Sequence, residues 1–163
     1  MHGGQGPFES HDHAGCAGSV LARADRLAAA RGVRLTPVRR RTLEILLESH
    51  KAMGAYEVLD RLAGEGFGRQ PPVVYRALEF LVEQGLAHRV QVLNAFAACM
   101  HPDTAHQPVF LICRDCHRIA ETPAEGVRAA LEAAAAPLGF AVESSSFEAT
   151  GQCPACREAA GCA

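Results

Sequence analysis

Seven cysteines are spread along the 163 residues, and four of them fall in two Cys-x-x-Cys pairs, Cys113 with Cys116 and Cys153 with Cys156. Two sulfurs at that spacing share one tight knuckle. Two knuckles enclose a tetrahedral ion at about 2.3 Å per sulfur, and four cysteines with no open position make a structural zinc site. Four thiolates around Zn2+ leave a local charge of about −2, which backbone amides of short turns such as Arg114-Asp115 must soften. Redox chemistry is the competing use of Cys153-Pro-Ala-Cys156, but that motif belongs at the start of a helix early in a βαβ unit, and here seven residues follow it. An odd cysteine count with no basic segment leading into an apolar run favours metal over a disulfide framework.

A second set of donors is mixed. His88, Cys99, His106 and Glu121 offer two imidazoles, a thiolate and a carboxylate, the combination of N, S and O ligands that zinc accepts. Taken singly they read as a surface His, a buried Cys, a loop His and an exposed Glu. Together they would fall at the joint between two domains, and with neutral imidazoles the filled site is formally neutral. His101 is a rival to His106. His2, His11, His13 and Cys16 near the N-terminus are scattered donors in a Gly- and His-rich stretch without periodicity.

The elements that must carry these groups follow from pattern. Apolar residues at Val20, Leu21, Ala24, Leu27 and Ala28 predict a helix from Ser19, stopped by Gly32. Thr36-Pro37 opens a second helix, with Thr as cap and Pro tolerated at the first position. Arg34, Arg39, Arg40 and Arg41 crowd this opening, against the preference for acidic residues at a helix start. A short helix fits Tyr56 to Ala63, and a fourth runs from Pro71-Pro72 to about Gln84 before Gly85. The segments from Leu86 to Val92 and from Ala95 to Cys99 form a hairpin turning near Asn94. Beyond a Pro-containing connector, Val109 to Ile112 and Arg118 to Glu121 read as strands, Pro123 to about Leu138 as a helix, and Phe140 to Phe147 as a third strand. This β-β-α-β order implies a small α+β domain whose helix covers one sheet face.

Composition excludes several classes. Hydrophobic residues at 48% and charged residues at 21% allow a buried core, and the length holds one or two small domains, not a large catalytic barrel. No stretch approaches the roughly 18 to 20 apolar residues of a bilayer span, so no membrane association is expected and the chain is read as cytoplasmic. The net charge of −2 is unevenly spread: residues 1–95 hold 12 Lys and Arg against 10 Asp and Glu, residues 96–163 hold 4 against 8. Any basic face therefore belongs to the first half.

The stretches Arg31-Gly-Val-Arg-Leu-Thr-Pro-Val-Arg39 and Pro72-Val-Val-Tyr-Arg-Ala-Leu-Glu-Phe-Leu81, with the two Cys-x-x-Cys pairs, resemble the ferric uptake regulator family from about Val20 to Arg157. Within it the chain is most similar to the zinc uptake regulator branch, whose sensing-ligand positions are matched by His88 in Gln84-Gly-Leu-Ala-His88-Arg, by Cys99, by the His seven residues before Cys113, and by Glu121. Members sensing iron, manganese or peroxide usually carry a His-His-x-His run before the first Cys pair. Here that place reads His106-Gln-Pro-Val-Phe-Leu-Ile-Cys113, with one His.

The resemblance implies an α+β chain with a flexible arm (1–18), a winged helix-turn-helix DNA-binding domain (19–99), a linker (100–108) and a dimerisation domain with the four-cysteine zinc site (109–163). It implies a homodimeric, zinc-dependent repressor of zinc uptake genes bound to double-stranded operator DNA, with one structural and one regulatory Zn2+ per subunit. Neither catalysis nor a small-molecule substrate is expected. Tyr75 and Arg76 would meet bases, and Arg34, Arg39, Arg40 and Arg41 would hold phosphates. The alternatives are a family regulator answering nickel or manganese, a zinc-ribbon interaction module, and a zinc hydrolase or deaminase. For a deaminase the chain lacks both His-x-Glu and Pro-Cys-x-x-Cys.

Overall fold

The computed structural model describes Phe8 and residues 13–103 and 107–161. The chain divides into two compact units, Met1–Ala105 and His106–Ala163. No helix among the described residues is long and apolar enough to cross a membrane.

The first unit is helical with a small hairpin: α1 (His13–Ala30), α2 (Pro37–Leu47), α3 (Ala55–Gly64), α4 (Pro71–Glu83), β1 (Ala87–Val90) and β2 (Ala95–Ala98). α1 opens at His13, six residues before the expected start at Ser19, and Ala17 packs against the core. Thr36 caps α2 as its pattern predicts, its hydroxyl accepting from the Arg39 N–H at 3.4 Å, with Pro37 at the first helical position. Between α3 and α4 the chain turns through Gly66 and Gly68, whose φ values of 87° and 85° disfavour other residues. Leu43, Val58, Leu62, Leu78, Leu81 and Leu86 are buried where α2, α3 and α4 meet. Leu78 is fully enclosed. Leu78→Ala is therefore expected to destabilise this unit by about 2–5 kcal/mol, read from the denaturant midpoint.

The hairpin pairs Ala87 with Ala98 and Val90 with Ala95, turning at Asn94, whose φ of 46° suits an Asn. Met53 and Phe96 exchange two backbone hydrogen bonds of 2.8 and 2.9 Å, which ties the segment before α3 to the wing. Three helices followed by this hairpin are the winged helix-turn-helix expected from the order of elements.

The second unit holds β3 (Pro108–Cys113), β4 (Ile119–Pro123), α5 (Glu125–Ala135), a single 3-10 turn, β5 (Phe147–Gly151) and α6 (Pro154–Gly161). The strand order is β4-β3-β5, with β3 antiparallel to β4 and parallel to β5. Two expectations are corrected. The third strand begins at Phe147, where the predicted one ends, because parallel pairing aligns Val109 with Phe147 and Cys113 with Gly151. Nor does the helix cover the sheet within the chain: Ala135 is the buried residue of α5, whereas Val127 and Leu131 are exposed.

Candidate metal centre and nucleic-acid face

The β3–β5 register explains the cysteine quartet. Cys113 ends β3 opposite Gly151, so the second Cys pair starts beside the first, and the Arg114 N–H donates to the Gly151 carbonyl at 2.9 Å. The first knuckle closes on itself through the Cys113 N–H to Arg118 carbonyl bond of 2.9 Å and the His117 N–H to Cys113 carbonyl bond of 3.0 Å. His117 turns the corner at a φ of 58°. The second knuckle leads into α6 at Pro154. A 2.8 Å hydrogen bond from Gln152 Nε2 to Asp115 Oδ2 joins the two, a pairing that needs the non-local strand register and has no signature in spacing alone.

Donor chemistry and geometry both fit zinc. The four sulfurs lie within 4.8 Å of one another, and Cys116 Sγ is 3.7 Å from Cys153 Sγ. The edge of a tetrahedron with Zn–S bonds of about 2.3 Å is about 3.8 Å. Backbone N–H groups of Cys116 and Cys153 point at the Cys113 sulfur, the latter at 3.4 Å, and hold its pKa down at about 6. Cys156 is pushed up to about 12, chiefly because its thiol is held by Cys153 and by burial. The knuckle amides therefore stabilise thiolate charge, the role expected of the Arg114-Asp115 turn.

Of the mixed set, the first unit brings His88 and Cys99 together. His88 sits on β1 opposite Ala97, and Cys99, fully buried, follows β2 with its N–H donating to the Leu86 carbonyl at 2.9 Å. Their ligand atoms lie within 4.8 Å of each other, close enough for one ion. Glu121 is half-buried on β4 of the second unit, paired with Phe110. His101 is exposed. His106 lies outside the described residues, as do His2, His11 and the side chains of His13 and Cys16.

On α4, Val74, Ala77, Leu78 and Leu81 face the core and leave Tyr75 and Arg76 exposed on the opposite side. Tyr56, at the start of α3, is 67% exposed. The four arginines at the opening of α2 differ in their partners. Arg40 reaches Asp25 on α1 at 2.5 Å and Glu44 at 3.3 Å, and Asp25 above all raises its pKa. Arg41 forks onto Glu65 at 2.5 and 2.7 Å and also meets Glu44 and Glu48, while Arg61 holds the other side of Glu48. The hydrogen bond from Arg41 holds the Glu65 carboxyl below its usual range. Arg34 is exposed, and Arg39 lies with its guanidinium against Phe80.

Residues 30–150 match the model of the ferric uptake regulator family. The chain is 39% identical over 144 residues to the zinc uptake regulation protein of Escherichia coli K12, covering 88% of this chain and 84% of that protein. It superposes on a zinc uptake regulator complexed with zinc and DNA with a TM-score of 0.84 at 39% identity, covering 90% of this chain and 98% of that one. The match to holo XcZur has a TM-score of 0.76 at 38% identity, covering 86% and 98%. With a winged helix-turn-helix, a three-stranded second unit and a four-cysteine centre between its strands, the chain belongs to the ferric uptake regulator family.

Proposed function

We propose that the chain is a cytoplasmic, zinc-responsive repressor of zinc uptake genes that binds operator DNA as a homodimer. The observation that carries this reading is the placement of His88 and Cys99 at the foot of the same wing whose unit exposes Tyr75 and Arg76 on α4. Its closest support outside the chain is the 39% identity to proteins named for zinc uptake regulation.

Each subunit would hold two Zn2+ ions, a structural one at Cys113, Cys116, Cys153 and Cys156 and a regulatory one at His88, Cys99, His106 and Glu121. At the regulatory site zinc supplies a four-coordinate anchor for ligands drawn from the wing, the linker and the second domain. A ligand shifts a conformational equilibrium only by its difference in affinity for the two states. Moving a dimer from 1% to 99% competent takes about a 10⁴-fold difference. His88 and Cys99 are fixed to one domain and Glu121 to the other, so only certain domain arrangements present a complete ligand set. The exposed apolar residues of the second unit, Leu111, Val127, Leu131, Leu138 and Phe140, suit a face covered by a second copy, and with it the spacing of the two reading helices would be set near the pitch of DNA, about 34 Å.

At the DNA, Arg76 would fork onto a guanine and Tyr75 pack on a thymine methyl, while Arg34, Arg39, Arg40 and Arg41 hold phosphates. Arg40 and Arg41 would have to exchange their carboxylate partners to do so. Arg76→Ala is expected to narrow the gap between operator and scrambled duplex by about 1–3 kcal/mol, whereas Arg39→Ala weakens both alike and flattens the salt dependence. Fluorescence anisotropy on both duplexes across a salt series checks this. Identical behaviour of the two variants would remove α4 from the role of reading helix.

A further inference from the structure

Arg39 is held at three points. Its backbone N–H donates to Thr36 Oγ1 at 3.4 Å, its Nη1 donates to the Arg34 carbonyl at 2.9 Å, and its guanidinium carbon lies 3.6 Å from the centroid of the Phe80 ring. Among the described residues it has no carboxylate partner, unlike Arg40 and Arg41, whose charges are matched by Asp25, Glu44, Glu48 and Glu65. Its full positive charge therefore remains available while its plane is fixed. An arginine loses much rotamer freedom when it grips a phosphate, and a side chain ordered beforehand loses less. The ring face of Phe80 attracts the cation and leaves the edge N–H groups of the guanidinium to donate outward.

We propose that Phe80 is a positioning residue for DNA binding: it preorganises Arg39 as the principal phosphate-gripping cation of α2 and ties that grip to the reading helix. Phe80 lies on α4 one turn beyond Arg76, half-buried with its other contacts on the core of the unit. The phosphate anchor at the start of α2 and the base-reading residues of α4 thus share one side chain as a common support. Arg40 and Arg41, by contrast, brace α2 against α1 and against the end of α3. The inference rests on the DNA-binding reading above and adds to it a residue that acts through Arg39.

The test separates charge from order. Phe80→Leu keeps apolar packing and removes the ring face, and Arg39→Lys keeps the charge and removes the plane. Each is expected to weaken operator and scrambled duplex by the same factor, about threefold to tenfold, with the slope of log affinity against log salt unchanged. Arg39→Ala should instead reduce that slope by about 0.9, the loss of one phosphate contact. Phe80→Tyr, which keeps a ring, should bind as the parent does. Thermal melting checks that Phe80→Leu is folded, and if it is not, Phe80→Met, which also fills the site without a ring face, takes its place with the same expected loss. Parent-like affinity in Arg39→Lys and Phe80→Leu, or a reduced slope in Phe80→Leu, overturns the proposal. A parent chain that binds neither duplex at saturating zinc overturns the DNA-binding reading itself.

Discussion

Cys113→Ser or Cys156→Ser is expected to abolish tight zinc binding at the quartet and to unfold the second unit. The strands that carry the knuckles are short, and β5 is joined to β3 over only five residue pairs. Cys113 and Cys153 are themselves part of what is buried there, beside Val109, Phe110, Ile112 and Ile119. A core of that size gains from a metal at the proposed quartet site, since structural zinc contributes about 10 kcal/mol or more of folding free energy in small zinc-dependent domains. Serine is close to cysteine in size and removes the thiolate, so loss of the metal is the larger part of the effect, beside a smaller cost of burying a hydroxyl. The readouts are zinc per chain, the melting temperature and the mass in solution. All three should fall, the last because the exposed apolar face on α5 loses the scaffold that presents it. A variant with the parent's melting temperature and mass would mean that the quartet is not structural.

Cys99→Ser should behave differently. Cys99 is fully buried just after β2, yet the main core of its unit is built by residues such as Leu43, Leu78 and Leu81 on helices that carry none of the candidate ligands. The variant is therefore expected to stay folded and dimeric and to keep one zinc per chain at the quartet. Operator binding should then require at least about 100-fold more free zinc than in the parent, since loss of a ligand costs more than loss of a group that merely orients one. Excess zinc should restore part of the binding, because three ligands and a water still complete a tetrahedron. His106→Ala and His101→Ala, measured alongside, decide which linker histidine belongs to the set. A zinc response abolished by His101→Ala and untouched by His106→Ala would reassign that ligand.

Much of this arrangement was legible in the residue order because the signals are local. The Thr36 cap, the Gly-rich turn before Pro71 and the stop at Gly85 are short-range features, and the helices they bound formed within a residue or two of expectation. The quartet was legible because Cys-x-x-Cys spacing carries its own geometry. His88 and Cys99 come together through an antiparallel hairpin of the kind a turn at Asn94 announces. What could not be read depends on partners distant in sequence. The position of β5 follows from a parallel register with β3 across a helix, which nothing between Phe140 and Phe147 encodes. Arg40 and Arg41 read as a basic face until Asp25 and Glu65, 15 and 24 residues away, are seen to hold them. Phe80 reads as one more apolar residue on a helix, and its contact with Arg39 exists only once α2 and α4 are packed together.

The regulatory claim is tested most directly by titrating operator binding against buffered free zinc, with the full chain and a duplex from its own promoter region. Affinity is expected to rise sigmoidally as free zinc increases, at a quartet already loaded throughout, with complete loss of operator binding when a chelator lowers zinc below the rise. The Cys99→Ser chain should follow the same curve displaced to higher zinc. Operator affinity that stays constant across the whole zinc range, with zinc per chain changing from one to two, would contradict the regulatory claim.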